Sequence, residues 1–408
     1  MVAERGGVAA CERMQSNSPV EAGANGVLPI GERIAVKEWR RLQEAGPHVV
    51  CVINPESRVP ARREQPGVGR GARSSAGAMQ NERTLSSPPT DGVSALRFTP
   101  DGRLLASSWD SALRVYDADD VRACFLQPSP LLDCDALTDG QHAVSAGLDG
   151  AVRLHALTGG DSTTLGHHDG GVRCVRQASG ANVVVSGGWD KSVKLWDVRA
   201  PTPCVSTHEQ PDKVLALCAG TPGSTSSAPL LVVAMCGRLV NLIDLRMPAE
   251  PLQRRESSLK CQTRCVAQMP DGTGYALGSV EGRTAVEYVE PAAQEKKYAF
   301  KCHRAVVNEA DAVFPVHAIC FHPRLGTFAT GGGDGLVNVW DAAYKKRLCQ
   351  FRKYPTSISA LAFSPQGDAI AIAASYAFEQ GEMPNRPPDS IHVRQLTEKE
   401  LRPKVRAA

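Results

Sequence analysis

Between Gln253 and Arg264 the chain runs Gln-Arg-Arg-Glu-Ser-Ser-Leu-Lys-Cys-Gln-Thr-Arg, and Glu281-Gly282-Arg283 follows a short distance on. The groups there that can do chemistry are cations: Lys260, Arg264 and Arg283. Brought to one rim of a folded domain, they make an anion site. A guanidinium fork matches two oxygens of a phosphate at once, and a lysine adds a point charge beside it. Such clusters are the usual receptors for phosphorylated peptide motifs. The competing reading is a solvated charged face, neutralised locally by Glu256 and Glu281.

No other constellation rises to a catalytic site. His167-His168-Asp169 has the residue types of an acid–base cluster. A histidine just before a strand of a repeat, however, is expected to hydrogen-bond within its own repeat. His322-Pro323 occupies a turn position. There is no Gly-x-Ser-x-Gly elbow, no Walker loop and no His-Glu-x-x-His helix. The thirteen cysteines are scattered without a Cys-x-x-Cys pair, and many fall inside strands, as in Val172-Arg173-Cys174-Val175. That pattern predicts buried reduced thiols rather than a disulfide framework. Cys261 and Cys265, and Cys302 beside His303, lack the second spaced pair that a zinc site requires. Neither a metal nor another cofactor is expected, and the chain is not expected to be an enzyme.

The elements that would position the cations recur along the chain. A small residue and an acid precede a short β-branched run at Ser108-Trp109-Asp110, Gly147-Leu148-Asp149, Gly188-Trp189-Asp190, Val280-Glu281-Gly282 and Gly333-Asp334-Gly335. Asp110 to Asp149 is 39 positions and Asp149 to Asp190 is 41. A period near 40–45 residues with Trp-Asp endings marks propeller blades. The 91 positions from Asp190 to Glu281 leave room for a degenerate unit at Ala234–Asp244. The 53 from Glu281 to Asp334 imply a loop insertion over Pro291–Asp311. A last unit fits at Ile358–Arg394, which makes seven. Apolar runs of four to six residues bounded by Pro, Asp and Gly read as strands joined by tight turns. Closing the ring needs an outer strand for the last blade, expected from Asn81–Leu85. The fold class is therefore all-β, a seven-bladed WD40 β-propeller over residues 80–408 behind a disordered N-terminal tail.

The tail, residues 1–79, is rich in Gly, Ala, Arg and Pro and has little periodicity. Its Gly67-Val68-Gly69-Arg70-Gly71 has no strand before it and no helix after it, unlike a phosphate loop. Glu32–Glu44, with Trp39, has the pattern of a short solvated helix. Met79 directly precedes the ring, so the tail is expected to be an extension of the gene model. The net charge of +3 matches the excess of Lys and Arg in the tail, leaving the ring near neutral. Direct nucleic-acid binding, which favours basic surface with interleaved aromatics, is not expected. No apolar run reaches membrane-spanning length, so no membrane partner is expected either.

Four strings carry a resemblance. They are Gln253–Arg264, Glu281–Tyr288, Lys296–Arg304 and Lys345–Phe351. Together they resemble the Bub-kinase-binding WD-repeat propellers of the spindle assembly checkpoint, a family that also includes messenger-RNA-export propellers. The likeness runs from about Asn81 to Arg394. Two departures stand out: Cys261 where the family is expected to carry Tyr, and the Ser/Gly/Pro loop Thr221–Ala228. The resemblance implies an adaptor that binds a GLEBS segment of checkpoint kinases across the top of the ring. It also implies capture of phosphorylated Met-Glu-Leu-Thr motifs of the kinetochore scaffold. By position, Arg264 and Arg283 are implied to hold the phosphothreonine, with Lys260 beside them and Trp109 against the motif's Met. Arg238 and Arg246 are implied to meet acidic side chains of the kinase segment. A link to the anaphase-promoting complex through the mitotic checkpoint complex follows, as does a place in the nucleus, at kinetochores in mitosis and in the cytoplasm. Two rival readings are an export propeller bound to a nucleoporin and a substrate receptor of a cullin-based ubiquitin ligase. The second rests on Trp196-Asp197-Val198-Arg199, which fits the Trp-Asp-x-Arg pattern.

Overall fold

The structure is a computed structural model that describes residues 81–220, 229–307, 310–379 and 381–402, with the backbone alone at 307 and 310. The expected tail with its Glu32–Glu44 helix and Gly67–Gly71 loop, and the Thr221–Ala228 loop, lie outside the described residues.

A short strand β1 (Glu82–Thr84) comes first. Blade one is β2 to β5 (Val93–Phe98, Leu104–Ser108, Ala112–Asp117, Asp120–Leu126) and blade two is β6 to β9 (Leu131–Ala136, His142–Gly147, Ala151–Ala156, Ser162–His167). Blade three is β10 to β13 (Val172–Ala178, Val183–Gly188, Ser192–Trp196, Cys204–Glu209). Blade four is β14 to β17 (Leu230–Met235 and Leu239–Asp244 between Val214–Ala219 and Gln253–Glu256). Blade five is β18 to β21 (Thr263–Gln268, Gly274–Ser279, Arg283–Tyr288, Tyr298–Lys301). A hairpin, β22 and β23 (Arg304–Val307, Ala310–Val313), precedes blade six, which is β24 to β27 (Val316–Phe321, Thr327–Gly332, Val337–Asp341, Lys346–Gln350). Blade seven takes β28 to β30 (Ile358–Phe363, Ala369–Ala374, Ser390–Gln395) and borrows β1 as its outer strand. The degenerate unit at Ala234–Asp244 is a full blade. The stretch Pro291–Asp311 differs from the expected loop: it holds a 3-10 turn (Pro291–Lys296), the outer strand β21 and most of the hairpin.

The strand sequences follow their surroundings. Second strands are covered on both faces by neighbouring blades, so β15 (Leu-Leu-Val-Val-Ala-Met) and β29 (Ala-Ile-Ala-Ile-Ala-Ala) are apolar and buried at every position. Outer strands touch solvent on one side, and β13 alternates between exposed and half-buried residues. The core lies between blades: Cys174, Val185 and Leu195 of blade three pack against Val214, Leu217, Leu231 and Val233 of blade four. Each large side chain so buried contributes about 1.5–3 kcal/mol.

Polar bonds fix the turns. His168 Nδ1 meets Asp190 at 3.0 Å and its Nε2 meets Ser186 Oγ at 2.7 Å, while Trp196 Nε1 donates to the same Ser186 Oγ at 2.8 Å. His303, Asp334, Thr330 and Trp340 repeat the arrangement in blade six. His168 is thus a turn-holding residue, as the repeat pattern predicted. His322 Nδ1 accepts the backbone N–H groups of Arg324 and Leu325, each at 3.1 Å.

The ring closes where β1 pairs with β30, Glu82 opposite Arg394 and Thr84 opposite His392. Glu82 is buried there beneath a cluster of partners. Arg352 reaches its Oε1, the Tyr354 hydroxyl donates to Oε2 at 3.0 Å, and Arg394 stands 3.8 Å away.

A further regularity matters for function. In each of the seven blades the ladder between the first and second strands slips at the second residue of the first strand. The bulged residues are Ser94, Leu132, Arg173, Leu215, Arg264, His317 and Ser359. A bulge takes its residue out of the regular ladder pairing and re-aims its side chain. These seven therefore stand around the same end of the central channel.

Candidate functional site

One rim of the ring carries the turns between second and third strands and the connections from one blade to the next. Lys260 lies on such a connection, exposed, just ahead of β18. Arg264 is the bulged residue of β18, and Arg283 is the first residue of β20. All three cations belong to the same rim of blade five. Strands β18 and β20 are two ladder spacings apart, about 9–10 Å, which two arginine side chains can bridge from either side of one phosphate.

The turn that presents Arg283 departs from its counterparts. In blades one, two, three and six the turn acid folds back to accept the backbone N–H two residues on: Ala112 to Asp110, Ala151 to Asp149, Ser192 to Asp190, Leu336 to Asp334. Glu281 faces the inter-blade connections instead, accepting the Lys260 N–H at 3.3 Å and Arg304 Nη2 at 3.3 Å. Gly282 takes φ 66° between them, and a Cβ there would lie 2.3 Å from the His303 carbonyl oxygen. Only glycine fits that turn.

Glu281 is engaged with Arg304, and Glu256 pairs with Arg238 at 2.9 Å. Across the ladder Arg283 faces Lys301, a cation the sequence reading did not single out. Residues directly opposite share a face, and like charges so placed repel. Neither side chain has an ion pair among the described residues, so a bound anion is what would relieve the repulsion.

The remaining candidates divide. Arg238 belongs to the same rim, in the turn between β15 and β16, with Nη2 donating to the Ser257 carbonyl at 3.0 Å. Arg246 does not. It follows β16 at that strand's other end, on the opposite rim, where its guanidinium doubles back on Asp244 at 2.5 Å. The bond from Arg246 holds the Asp244 carboxyl below its usual range. Arg199 and Asp197 make the same fold-back at the end of β12, at 2.8 Å. The Asp-x-Arg spacing is thus a turn device of that rim, and Arg238 and Arg246 stand at opposite ends of β16. Trp109 stands half-exposed on the rim of blade one, its backbone N–H donating to the Gly92 carbonyl at 2.9 Å. Trp189 occupies the same place in blade three, against Gly171.

Sequence reasoning also missed the residues behind Arg264. Arg264 Nη2 lies 3.0 Å from His317 Nδ1, His317 Nε2 lies 2.8 Å from Glu379 Oε1, and Ser357 Oγ donates to that same oxygen at 2.6 Å. Burial opposes ionisation of Glu379, yet the bonds from His317 and Ser357 hold its carboxyl below the usual carboxylate range. The signal available was register: Arg173, Arg264 and His317 each stand second in an inner strand. Nothing in the sequence marked Glu379. Deeper in the channel, Arg97 and Arg176 converge on Asp133.

Burial pushes the thiols of Cys134, Cys174, Cys218, Cys265, Cys302 and Cys320 up to about 12, far from a nucleophile's range. Among the described residues no group of three or more His, Cys, Asp or Glu side chains could hold a metal ion, and no helix is long and apolar enough to cross a membrane.

Seven four-stranded blades, tethered turns and a cationic rim define a WD40-repeat β-propeller. The family model for the WD domain, G-beta repeat, matches residues 79–117, 159–197 and 296–341. The chain is 49% identical over 331 residues to mitotic checkpoint protein BUB3.1 of Arabidopsis thaliana, covering 79% of this chain and 95% of that one. It is 40% identical over 336 residues to mitotic checkpoint protein bub3 of Dictyostelium discoideum, covering 80% and 99%. The mRNA export factor GLE2 of Chaetomium thermophilum is more distant, 34% identical over 325 residues, covering 76% and 89%. The chain belongs to the Bub3 family of WD40 propellers.

Proposed function

We propose that this protein is a mitotic spindle checkpoint adaptor. It binds the GLEBS segments of checkpoint kinases and, on blade five, phosphorylated Met-Glu-Leu-Thr motifs of a kinetochore scaffold, so recruiting the kinases to unattached kinetochores. Arg264 and Arg283 receive the phosphate, Lys260 and Lys301 add charge, and Trp109 offers an apolar face to the motif's Met. Arg238 is retained as a contact for the kinase segment; Arg246, on the other rim, is not. The protein works by docking, without a cofactor, in the nucleus and at kinetochores during mitosis and also in the cytoplasm. The mitotic checkpoint complex links it to the anaphase-promoting complex.

The observation that carries this reading is the cation cluster whose neighbouring acids, Glu256 and Glu281, are paired to other arginines. A phosphothreonine brings nearly two charges and three acceptor oxygens to such a place. The relatives support the checkpoint reading over the export one, at 49% against 34% identity. The test is a titration of phosphorylated and bare Met-Glu-Leu-Thr peptide against the wild type and an Arg264→Ala, Arg283→Ala double variant. A phosphate-dependent affinity that the double variant loses is the expected outcome; equal binding of both peptides by the wild type would remove the proposal. Parallel capture with a checkpoint-kinase segment and a nucleoporin segment separates the two family roles.

A further inference from the structure

Behind the phosphate-binding arginine runs a chain of polar contacts that joins three successive blades. Arg264 comes from blade five, His317 from β24 of blade six, and Ser357 and Glu379 from the connections before β28 and after β29 in blade seven. The chain has a direction that chemistry dictates. Arginine has five donors and no acceptor. His317 Nδ1 must therefore accept from Arg264 Nη2, which places a proton on Nε2, donated to Glu379 Oε1. Glu379 is in turn held by Ser357. The His317 side chain is 3% exposed, so it has little freedom to turn away.

An arginine side chain has many rotamers, and anchoring it in its bound pose before the ligand arrives removes part of the cost of ordering it from binding. We infer that His317, Glu379 and Ser357 are positioning residues that fix Arg264 at the channel mouth and thereby set the rim's discrimination between phosphorylated and bare ligand. The inference rests on the phosphate role proposed for Arg264. It goes beyond that role by making selectivity a property of blades six and seven, which need not touch the phosphate.

The experiment is a double-mutant cycle on the full chain, read with phosphorylated and bare Met-Glu-Leu-Thr peptide. His317→Leu removes the acceptor at similar volume and is expected to weaken the phosphopeptide about 5–10-fold, with the bare peptide unchanged. His317→Gln, which can accept from Arg264 and donate to Glu379, restores affinity to within about twofold. In an Arg264→Ala background His317→Leu has no further effect. Should His317→Leu fail to fold, Glu379→Gln carries the same cycle. Ring 15N shifts of His317 are expected to show Nδ1 unprotonated. Equal losses with both peptides, an undiminished His317→Leu effect without Arg264, or a protonated Nδ1 would each overturn the inference. If Arg264→Ala leaves phosphopeptide affinity intact, the phosphate role itself fails. If Arg264→Ala weakens it but the His317 and Glu379 variants do not, only the positioning role fails.

Discussion

Replacing Arg283 with alanine should separate binding from stability. The Arg283 guanidinium makes no hydrogen bond or ion pair among the described residues, and it faces Lys301 across the β20–β21 ladder. Truncation therefore removes no internal bond and relieves a like-charge pair, worth about 0.2–1 kcal/mol. Stability should stay level or rise slightly. Binding should respond differently. A fork on a phosphate makes charge-assisted bonds of about 1.5–3 kcal/mol each. Arg283 is half-exposed, so solvent screening discounts a two-bond contact to about 1.5–3 kcal/mol in total, or about 10–150-fold in Kd. Arg283→Lys should fall between, keeping charge and losing the fork. Fluorescence anisotropy with labelled phosphorylated and bare peptide, at low and near-physiological salt, reads all of this. The phosphorylated peptide should lose affinity and part of its salt dependence while the bare peptide stays constant. Equal losses with both peptides, or a fall in melting temperature large enough to explain the loss, would refute the reasoning.

Two further predictions concern the ring. Glu82→Ala removes the buried carboxylate that Arg352, Tyr354 and Arg394 share at the closing strand. Leaving those groups without their anion should cost about 3–5 kcal/mol, seen as a lowered denaturation midpoint, while a loss under about 1 kcal/mol would show that β1 does not close the ring. His155 lies fully buried between Ser145 and Ser162, and burial drives its pKa from 6.5 down to about 4. The unfolded chain takes up a proton near 6.5 and the folded ring only near 4, so stability is present above that window and falls as pH drops through it, by about 3 kcal/mol. His155→Gln should flatten the slope of denaturation midpoint against pH between about 6.5 and 4.

The sequence made the ring legible because its repeat is local. A turn acid recurs a few residues before each strand run, and the bonds that Asp110, Asp149, Asp190 and Asp334 accept from the backbone N–H two residues on explain why that spacing recurs. The closing strand at Asn81–Leu85 was legible too, since an unpaired last blade demands one. The blade-five cations were legible by type and order. Lys301 was hidden because cross-strand pairing is a matter of register, which single-chain reading does not supply. Arg246 was misplaced for the related reason that the strand β16 lies between it and Arg238, and six residues of extended chain span the ring's thickness. Glu379 was invisible: it lies 62 positions from His317 and meets it only because blade seven folds over blade six. The expected loop over Pro291–Asp311 held a strand that its polar, Lys-rich composition concealed.

The slipped register at the head of every inner strand has an evolutionary consequence. Because those seven residues stand outside the regular ladder pairing, their side chains can vary with less demand on the sheet beneath them than ladder residues make, although Arg264 and His317 are tied to each other. Serine, leucine, arginine and histidine already occupy equivalent slots in this one molecule. The mouth of the pore thus works like a combination lock with seven dials, in which ligand preference can drift one dial at a time on an unchanging barrel. Paralogues with different cargoes are the natural outcome of such an arrangement.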